Sequence, residues 1–395
     1  MSRRNYQVRE VGDYLDEYCS IAAEGLLVSD PGIWKRYVSR VGVENLRGVF
    51  DGARLAGGLA FYRMGQWFGG KRLDCAGYSG VSINPVDRGQ GACGELLRKT
   101  LLENYNEGIP IASLYASTQT LYRSVGFEHA GVQIKYSIPI HSIGKGDRSL
   151  PAHRFSEPSF ELLDIVAENR ARATNGNLAR TKGLWERRTQ PYDGGATNTY
   201  VFGELDAPEG YVILLSSSRD DGVPQTLACT DVAANTPAAW ARLMALLFDH
   251  RSMCDRFSWF GQPQDPLHYL SNEQLIEVPE CMRWMLRIVN VPKSLSLRGY
   301  AEGVTETIDF KVLDPLISEN DGHWRLHVRE GQASVEPGGD GHLELNIRAL
   351  APMYSSLLSA TQLNALGVLQ CNDPSQVQAA DRVFSGPSPW MTEIF

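Results

Sequence analysis

Between Val81 and Arg98 the chain reads VSINPVDRGQGACGELLR, an apolar run that breaks at Pro85, passes an Arg- and Gly-rich turn and opens into an amphipathic stretch. Strand, tight loop and helix N-terminus in that order aim several backbone N–H groups at one point, the arrangement that holds a pyrophosphate. Gly89, Gly91 and Gly94 let the main chain approach an anion, and Arg88 adds a positive charge. Behind them Leu96, Leu97 and Leu101 form one apolar stripe, with Glu95 and Lys99 paired at i,i+4 outside. This is not a Walker A loop, because no GKS or GKT follows the glycines. Gly89 to Gly94 also lacks the βαβ surroundings of the dinucleotide fingerprint. An ordinary helix start with turn glycines would read the same way, so a second segment has to decide.

That segment is Ile111–Ala116 (IASLYA), a buried-strand pattern between Pro110 and Ser117-Thr118, leading to a short helix over Gln119–Ser124 and then Gly126-Phe127. The first loop resembles the V-x-P-x-x-R-x-x-G segment of the Gcn5-related N-acetyltransferases (GNAT). Tyr122 to Phe127 resembles the Y-x-x-x-G-F element that follows it there. The resemblance implies that the loop amides hold the pyrophosphate of acetyl-CoA and that the Tyr122 hydroxyl protonates the departing thiolate. A phenol with a pKa of roughly 10 is protonated at neutral pH and suits that task. It further implies cofactor contacts from Val81, Ile83, Gly89, Gly91 and Ala92, with Arg88 near a phosphate and Ser117 positioning cofactor or acceptor. Many relatives carry three consecutive arginines where this chain has Arg88-Gly89-Gln90. Arg123 and Lys99 are the nearby cations that could compensate.

The elements that must hold these groups come from a chain of 395 residues, long enough for two or three domains. Apolar content of 43% and charged content of 21% are ordinary for a soluble globular protein. The opening MSRRNYQVREVGDYLDEY has no apolar run after its arginines, which predicts no signal peptide. No apolar stretch of about 18 residues predicts no membrane span. Seven scattered cysteines, odd in number and never spaced CxxC, read as free thiols of a reducing cytoplasm. Residues 1–145 hold 17 Lys/Arg against 14 Asp/Glu, and the remainder 21 against 32. A near-neutral first part fits a polyanionic cofactor, while the acidic remainder attracts cations and repels nucleic acid.

Three parts emerge. Residues 1–141 carry helical patterns at Asp13–Glu24 and Ile33–Val41 and strand patterns at Leu46–Phe50, Arg54–Met64, Tyr78–Ile83 and Gly131–Ile138. Mixed strands and helices with short connections predict a central sheet flanked by helices. Ile143–Ser149 is polar and Gly-rich, a linker pattern. Residues 142–287 again mix the two, with helices at Phe160–Arg172 and Pro237–Asp249 and strands at Tyr200–Phe202 and Gly210–Ser216. Trp240, Leu243, Met244 and Leu247 form a core face, and no second Arg-x-x-Gly loop occurs. Residues 288–395 begin with the strand-like RIVNVPKSLSLRGY, continue with strands near Thr305–Val312 and Trp324–Val328, and end with a helix over Ala351–Ala360. This last part reads as a small α+β domain with an apolar sheet face.

The run WMLRIVNVPKSL (Trp284–Leu295) resembles a segment of the Eis (enhanced intracellular survival) acetyltransferases, with Asn290 where those usually carry Asp. Val312, Asp314, Asn320 and Gly322 resemble their V-x-D-x-x-x-x-x-N-x-G. The closing Asp381-Arg382-Val383-Phe384 to Phe395 resembles their C-terminal pattern. The resemblance spans the chain in order. It implies an α/β (α+β) fold of tandem GNAT-like domains with mixed central sheets, the second (142–287) degenerate, plus a sterol-carrier-protein-like α+β domain (288–395). It also implies a hexamer.

By the same resemblance the Phe395 carboxylate, delivered from the third domain, is the general base and Tyr122 the general acid. Trp34 is the candidate wall of the acceptor pocket and Glu24 the candidate ammonium partner. His323 and His327 are not read as a metal site, because the alternation with Trp324, Leu326 and Val328 marks a strand, in which they stand roughly 13 Å apart. No HExxH glutamate is present. The expectation is a cytoplasmic N-acetyltransferase that uses acetyl-CoA on primary amines, aminoglycoside-like polyamines among them, with no metal, nucleic-acid or membrane partner. Two alternatives stand beside it: an acetyltransferase for lysine side chains or a biosynthetic amine, and a non-catalytic apolar-ligand-binding protein with a vestigial site.

Overall fold

The computed structural model describes residues 5–28, 30–191, 195–216, 225–371 and 373–395; the arginines at positions 3 and 4 lie outside them. The first third runs β1 (Tyr6–Glu10), α1 (Leu15–Gly25), α2 (Pro31–Val41), β2 (Leu46–Asp51), β3 (Arg54–Phe68), β4 (Lys71–Ile83), α3 (Ala92–Asn106), β5 (Ile111–Tyr115), α4 (Gln119–Arg123) and β6 (Glu128–Pro139). The middle runs β7 (Ala152–Phe155), α5 (Phe160–Arg172), β8 (Leu178–Ala179), α6 (Lys182–Thr189), β9 (Ala196–Glu204), β10 (Ala207–Ser216), β11 (Thr226–Ala234), α7 (Pro237–Asp249), β12 (Arg256–Gly261), α8 (Leu267–Leu270) and β13 (Glu277–Ile288). The last part runs α9 (Val291–Leu297), β14 (Glu306–Leu313), β15 (Gly322–Arg329), β16 (Gln332–Pro337), β17 (Leu343–Asn346), α10 (Ile347–Tyr354), α11 (Ala360–Ala365), β18 (Leu369–Cys371) and α12 (Pro374–Val383). No described helix is long and apolar enough to cross a membrane.

The chain divides into two compact units. One comprises 1–131, 283–387 and 394–395, the other 132–282 and 388–393. In the first, β1 to β4 are antiparallel, and β4 then pairs parallel with β5 over only three positions, Cys75–Gly77 against Ile111–Ser113. Beyond Gly77 the two strands part. The far edge of β5 is covered by the end of β13, Trp284–Ile288, running antiparallel to it. The apolar stripe of α3 (Leu96, Leu97, Leu101) packs on Leu59, Phe61, Ala76 and Phe127, as its spacing predicts.

A second sheet, β16-β15-β14-β17-β18, carries the C-terminal helices of this unit. The residues that gave the resemblance at 284–322 form its buried polar joint. Arg287 donates to both Asp314 oxygens (2.8 and 2.6 Å), and Asn320 donates to Asp314 and to the Val289 carbonyl (2.9 Å each). Both charged partners are fully buried.

The other unit repeats the plan. Its sheet is ordered β6-β12-β11-β10-β9-β7, with β11 and β12 parallel over three positions, Thr226–Ala228 against Arg256–Ser258. Here the edge of β12 is covered by Ile134–Pro139 of β6. The core face of α7 is confirmed: Leu243, Met244 and Leu247 are buried with Trp240 packed beside them. The 143–149 segment packs onto α7, where Asp147 N–H donates to the Ala241 carbonyl (3.0 Å).

Two expected elements are corrected. RIVNVPKSLSLRGY is a strand only as far as Ile288; Asn290 then accepts from Lys293 N–H (2.9 Å) and, with Pro292, starts α9. An Asx cap followed by Pro outweighs the β-branched run. The helix expected over Ala351–Ala360 is two helices, α10 capped by Asn346 and α11 started by a Ser359–Gln362 capping box. Left-handed Ser356 (φ 69°) sits in the break. His323 and His327 both lie on strand β15, as their alternation predicts.

Candidate active site

The opening between β4 and β5 is where the first unit places its reactive groups. Asn84 turns the chain at the end of β4, accepting from Val86 N–H (3.3 Å), and buried Asp87 is held by a two-pronged bond from Arg54 (2.6 and 2.7 Å). That pair fixes the base of the glycine loop. Gly89 and Gly91 have φ of 74° and 93°, left-handed values that favour glycine. Gly91 precedes α3, and no side chain caps that helix. By contrast Asp30, Ser159, Thr236 and Asn346 cap α2, α5, α7 and α10. The first-turn N–H groups of Ala92, Cys93 and Gly94 therefore carry no capping oxygen, and the helix end is a ready anion cradle. A β-carbon at Gly89, Gly91 or Gly94 would meet nothing within 4 Å. The glycine at 94 is helical, so conformation does not demand it, and the space over it is open.

The other expected cofactor residues are close by in the chain but differ in exposure. Ile83 and Ala92 are buried, Val81 is half-buried, and Arg88 is exposed, its Nε donating to the Ile83 carbonyl (3.2 Å). A β-carbon on Gly25, next to Glu24 at the end of α1, would lie 3.5 Å from an Arg88 guanidinium nitrogen. Glu24 itself is exposed. Neither proposed compensating cation turns to the loop: Arg123 forks onto Glu128 (2.7–3.1 Å), and Lys99 stands outward, 4.0 Å from Glu95.

Tyr122 of α4 is buried, its ring 6.2 Å from that of Phe127. Burial pushes its phenol well above the ordinary value, Cys93 adds to this, and a hydrogen bond with Ser117 opposes it. Tyr122 thus holds its proton beside the first turn of α3. Burial likewise pushes the Cys93 thiol up, to about 11.

An aromatic relay lines the same unit. Trp34 and Tyr37 of α2 meet edge to face (4.9 Å), Tyr37 meets Tyr62 of β3 (6.0 Å), Tyr62 meets Phe395 (6.1 Å), and Phe395 meets Tyr115 of β5 (6.0 Å). Trp34 is buried, and its indole N–H has no hydrogen-bond partner among the described residues. Tyr37, Tyr62 and Tyr115 escaped the sequence reading. The signal was Gly77 and Gly80 inside β4, because strand glycines mark close approach. A β-carbon on Gly77 would lie 2.9 Å from the Phe395 ring, and one on Gly80 3.3 Å from the Trp34 ring.

Asp309 of β14 and Asp340 and His342 of the loop before β17 also gather, with ligand atoms within 4.8 Å of one another. Asp309 is already forked by Arg325 (2.8 and 2.9 Å).

Comparison with known proteins gives this geometry a family. Residues 9–130 and 176–288 match the Acetyltransferase (GNAT) domain family, and 291–392 match the Sterol carrier protein domain family. The chain is 26% identical over 341 residues to N-acetyltransferase Eis of Mycobacterium tuberculosis, covering 81% of this chain and 80% of that protein. A GCN5-related N-acetyltransferase from Anabaena variabilis is 34% identical, with a TM-score of 0.94 over 99% of this chain and all of that one. Eis1 from Mycobacterium abscessus, at 20% identity and a TM-score of 0.83, shares the fold. With two acetyltransferase domains, a sterol carrier domain and relatives matched along most of its length, the chain is an N-acetyltransferase of the Eis family of GCN5-related N-acetyltransferases.

Proposed function

We propose that this enzyme transfers acetyl from acetyl-CoA to primary amines by direct attack, aminoglycoside-like polyamines among them. The Phe395 carboxylate would act as general base and Tyr122 as general acid. The carrying observation is that one unit brings together an uncapped helix end with open space over Gly94, a buried protonated tyrosine and the chain's last residue.

The fit to the cosubstrate rests on the donor set. Helix-end N–H groups at Ala92, Cys93 and Gly94, with Arg88 nearby, suit a pyrophosphate, and the cosubstrate supplies an activated acetyl thioester. An ammonium must lose a proton before its nitrogen can attack, and a carboxylate can take it. Phe395 is seated between Tyr62 and Tyr115, and its ring anchors the carboxylate three bonds away. Tyr122 donates to the leaving sulfur. Because its phenol is held above the ordinary value, it steadies the thiolate by hydrogen bond before the proton moves. Trp34, Tyr37 and Tyr62 would wall the acceptor pocket, with cation–π attraction favouring an ammonium, and Glu24 would add a carboxylate at its edge.

The division into 1–141, 142–287 and 288–395, the cytoplasmic location and the hexamer belong to the same proposal and rest on the family resemblance. The test is thiol release from acetyl-CoA over a panel of aminoglycosides, polyamines, lysine peptides and small amines. It is run on the intact chain, on a chain lacking Ile394 and Phe395, and on one extended by a single glycine. Amine-dependent release lost in both altered chains is the expected result. Release unchanged in both would remove the terminal carboxylate from the mechanism, and silence without acetyl-CoA binding would favour the ligand-binding alternative.

A further inference from the structure

The second acetyltransferase-like domain keeps the parting strands and lacks the anion cradle. β11 and β12 separate after Ala228 and Ser258, and a cavity of about 710 Å³ opens there, lined by Val232, Phe260, Trp240 and Trp390. Where the first domain has a glycine loop, α7 is capped by Thr236, which accepts from Ala239 N–H (3.1 Å) and donates to the Glu209 carboxylate. A carboxylate beside that helix end repels a pyrophosphate.

What the domain does hold is a piece of its own chain. Val132 N–H donates to the Pro389 carbonyl and Met391 N–H to the Val132 carbonyl (3.1 Å each). Asn177 donates to the Trp390 carbonyl (2.9 Å), and Trp390 N–H donates to Asn175 (2.9 Å). Arg188 and Gln133 both donate to the Thr392 carbonyl (3.0 and 2.6 Å). At the centre is Arg180, with its side chain 2% exposed. It donates to the Thr392 hydroxyl (2.9 Å), forms ion pairs with Glu393 and Asp231, and lies over the Trp185 ring (4.3 Å). Burial pushes the Glu393 carboxyl up, but Arg180 and Arg188 outweigh it and hold Glu393 ionised.

We infer that the second domain serves as a dock for Ser388–Glu393, with Arg180 the positioning residue that sets where the Phe395 carboxylate can reach. The inference rests on the base assignment proposed above. Chain ends ordinarily fray, yet a base must stand within hydrogen-bond reach of its proton. Only Ile394 stands between Glu393 and Phe395, so the two lie two positions apart, a span of at most about 7 Å. A buried ion pair is a weak source of stability and a good source of direction, which is what a dock needs.

The experiment is a cycle. Glu393→Gln and Arg180→Lys are made in the full chain and in the chain lacking Ile394 and Phe395, with thermal midpoints and acetyl-CoA KM measured beside kcat. Positioning predicts a fall in kcat of about tenfold to a hundredfold in the full chain, with KM for acetyl-CoA unchanged. It predicts no further fall in the shortened chain. An equal fall in both backgrounds makes Arg180 structural and overturns the inference, as does no fall in the full chain. If shortening alone leaves kcat intact, the base assignment fails first and this inference with it. Should Arg180→Lys not fold, Thr392→Val removes one bond of the dock and reads the same cycle.

Discussion

Gly77 and Phe395 compete for one volume: a β-carbon on Gly77 would lie 2.9 Å from Phe395 Cε2 and 2.7 Å from the Met64 methyl. Gly77 is also the last residue of β4 paired to β5, so the bare position stands where the two strands part. The terminal ring therefore reaches the wedge only because β4 has no side chain there. In Gly77→Ala the Met64 methyl can swing aside, whereas the ring must slide. The expected result is a drop in kcat of about tenfold or more, with acetyl-CoA binding retained and overpacking costing about 1–3 kcal/mol. Steady-state kinetics beside calorimetric binding would check it. Unchanged kcat would mean that the ring's place does not matter.

Tyr122→Phe keeps the buried ring against Phe127 and deletes only the hydroxyl that meets Ser117. If that hydroxyl serves the leaving thiolate, kcat falls about 100- to 10,000-fold while acetyl-CoA affinity stays within a factor of two. A loss confined to affinity would place Tyr122 in binding instead.

Much of this site was legible because its parts are local. The loop, its glycines and the leucine stripe of α3 lie within about two dozen residues, and periodicity exposes them. The partners of Phe395 were not legible, because Tyr62 and Tyr115 sit on strands brought together only by sheet order. Arg123, weighed as a compensating cation, is engaged by Glu128 five residues on. That Glu128 also meets Arg348, far along the chain, is the part no local pattern shows. The covering of β5 by β13, and of β12 by β6, is likewise a non-local exchange that no local pattern announces. Local chemistry did decide the two corrected elements, where Asn290 and Ser359 caps outweighed apolar runs.

Gly94→Asp separates stability from binding. The position is helical, third in α3, and open above, so a side chain fits without strain. Replacing glycine and placing an acid at a helix start both favour the folded chain, by about 0.5–1 kcal/mol together. The same carboxylate would occupy the anion cradle. Thermal midpoint should therefore rise slightly while acetyl-CoA affinity falls about tenfold or more, a cost of about 1.4 kcal/mol. Affinity unchanged would mean that the phosphates bind elsewhere.

Asp265→Asn tests a charge that the second unit holds at a loss. Asp265 is 4% exposed, and burial raises its carboxyl from 3.8 to about 6, against the bond it accepts from Leu267 N–H (3.1 Å). A carboxyl that binds its proton more tightly when folded lowers stability as pH rises from about 3.8 to about 6, and the loss persists above. Asparagine keeps an oxygen for Leu267 and carries no charge. The variant should be more stable than the parent at pH 8, by up to about 3 kcal/mol, with the difference shrinking through pH 6 and vanishing near pH 3.5. Urea midpoints of the two proteins across that range would show it. An advantage that did not depend on pH would mean that packing, not the charge, sets the cost at Asp265.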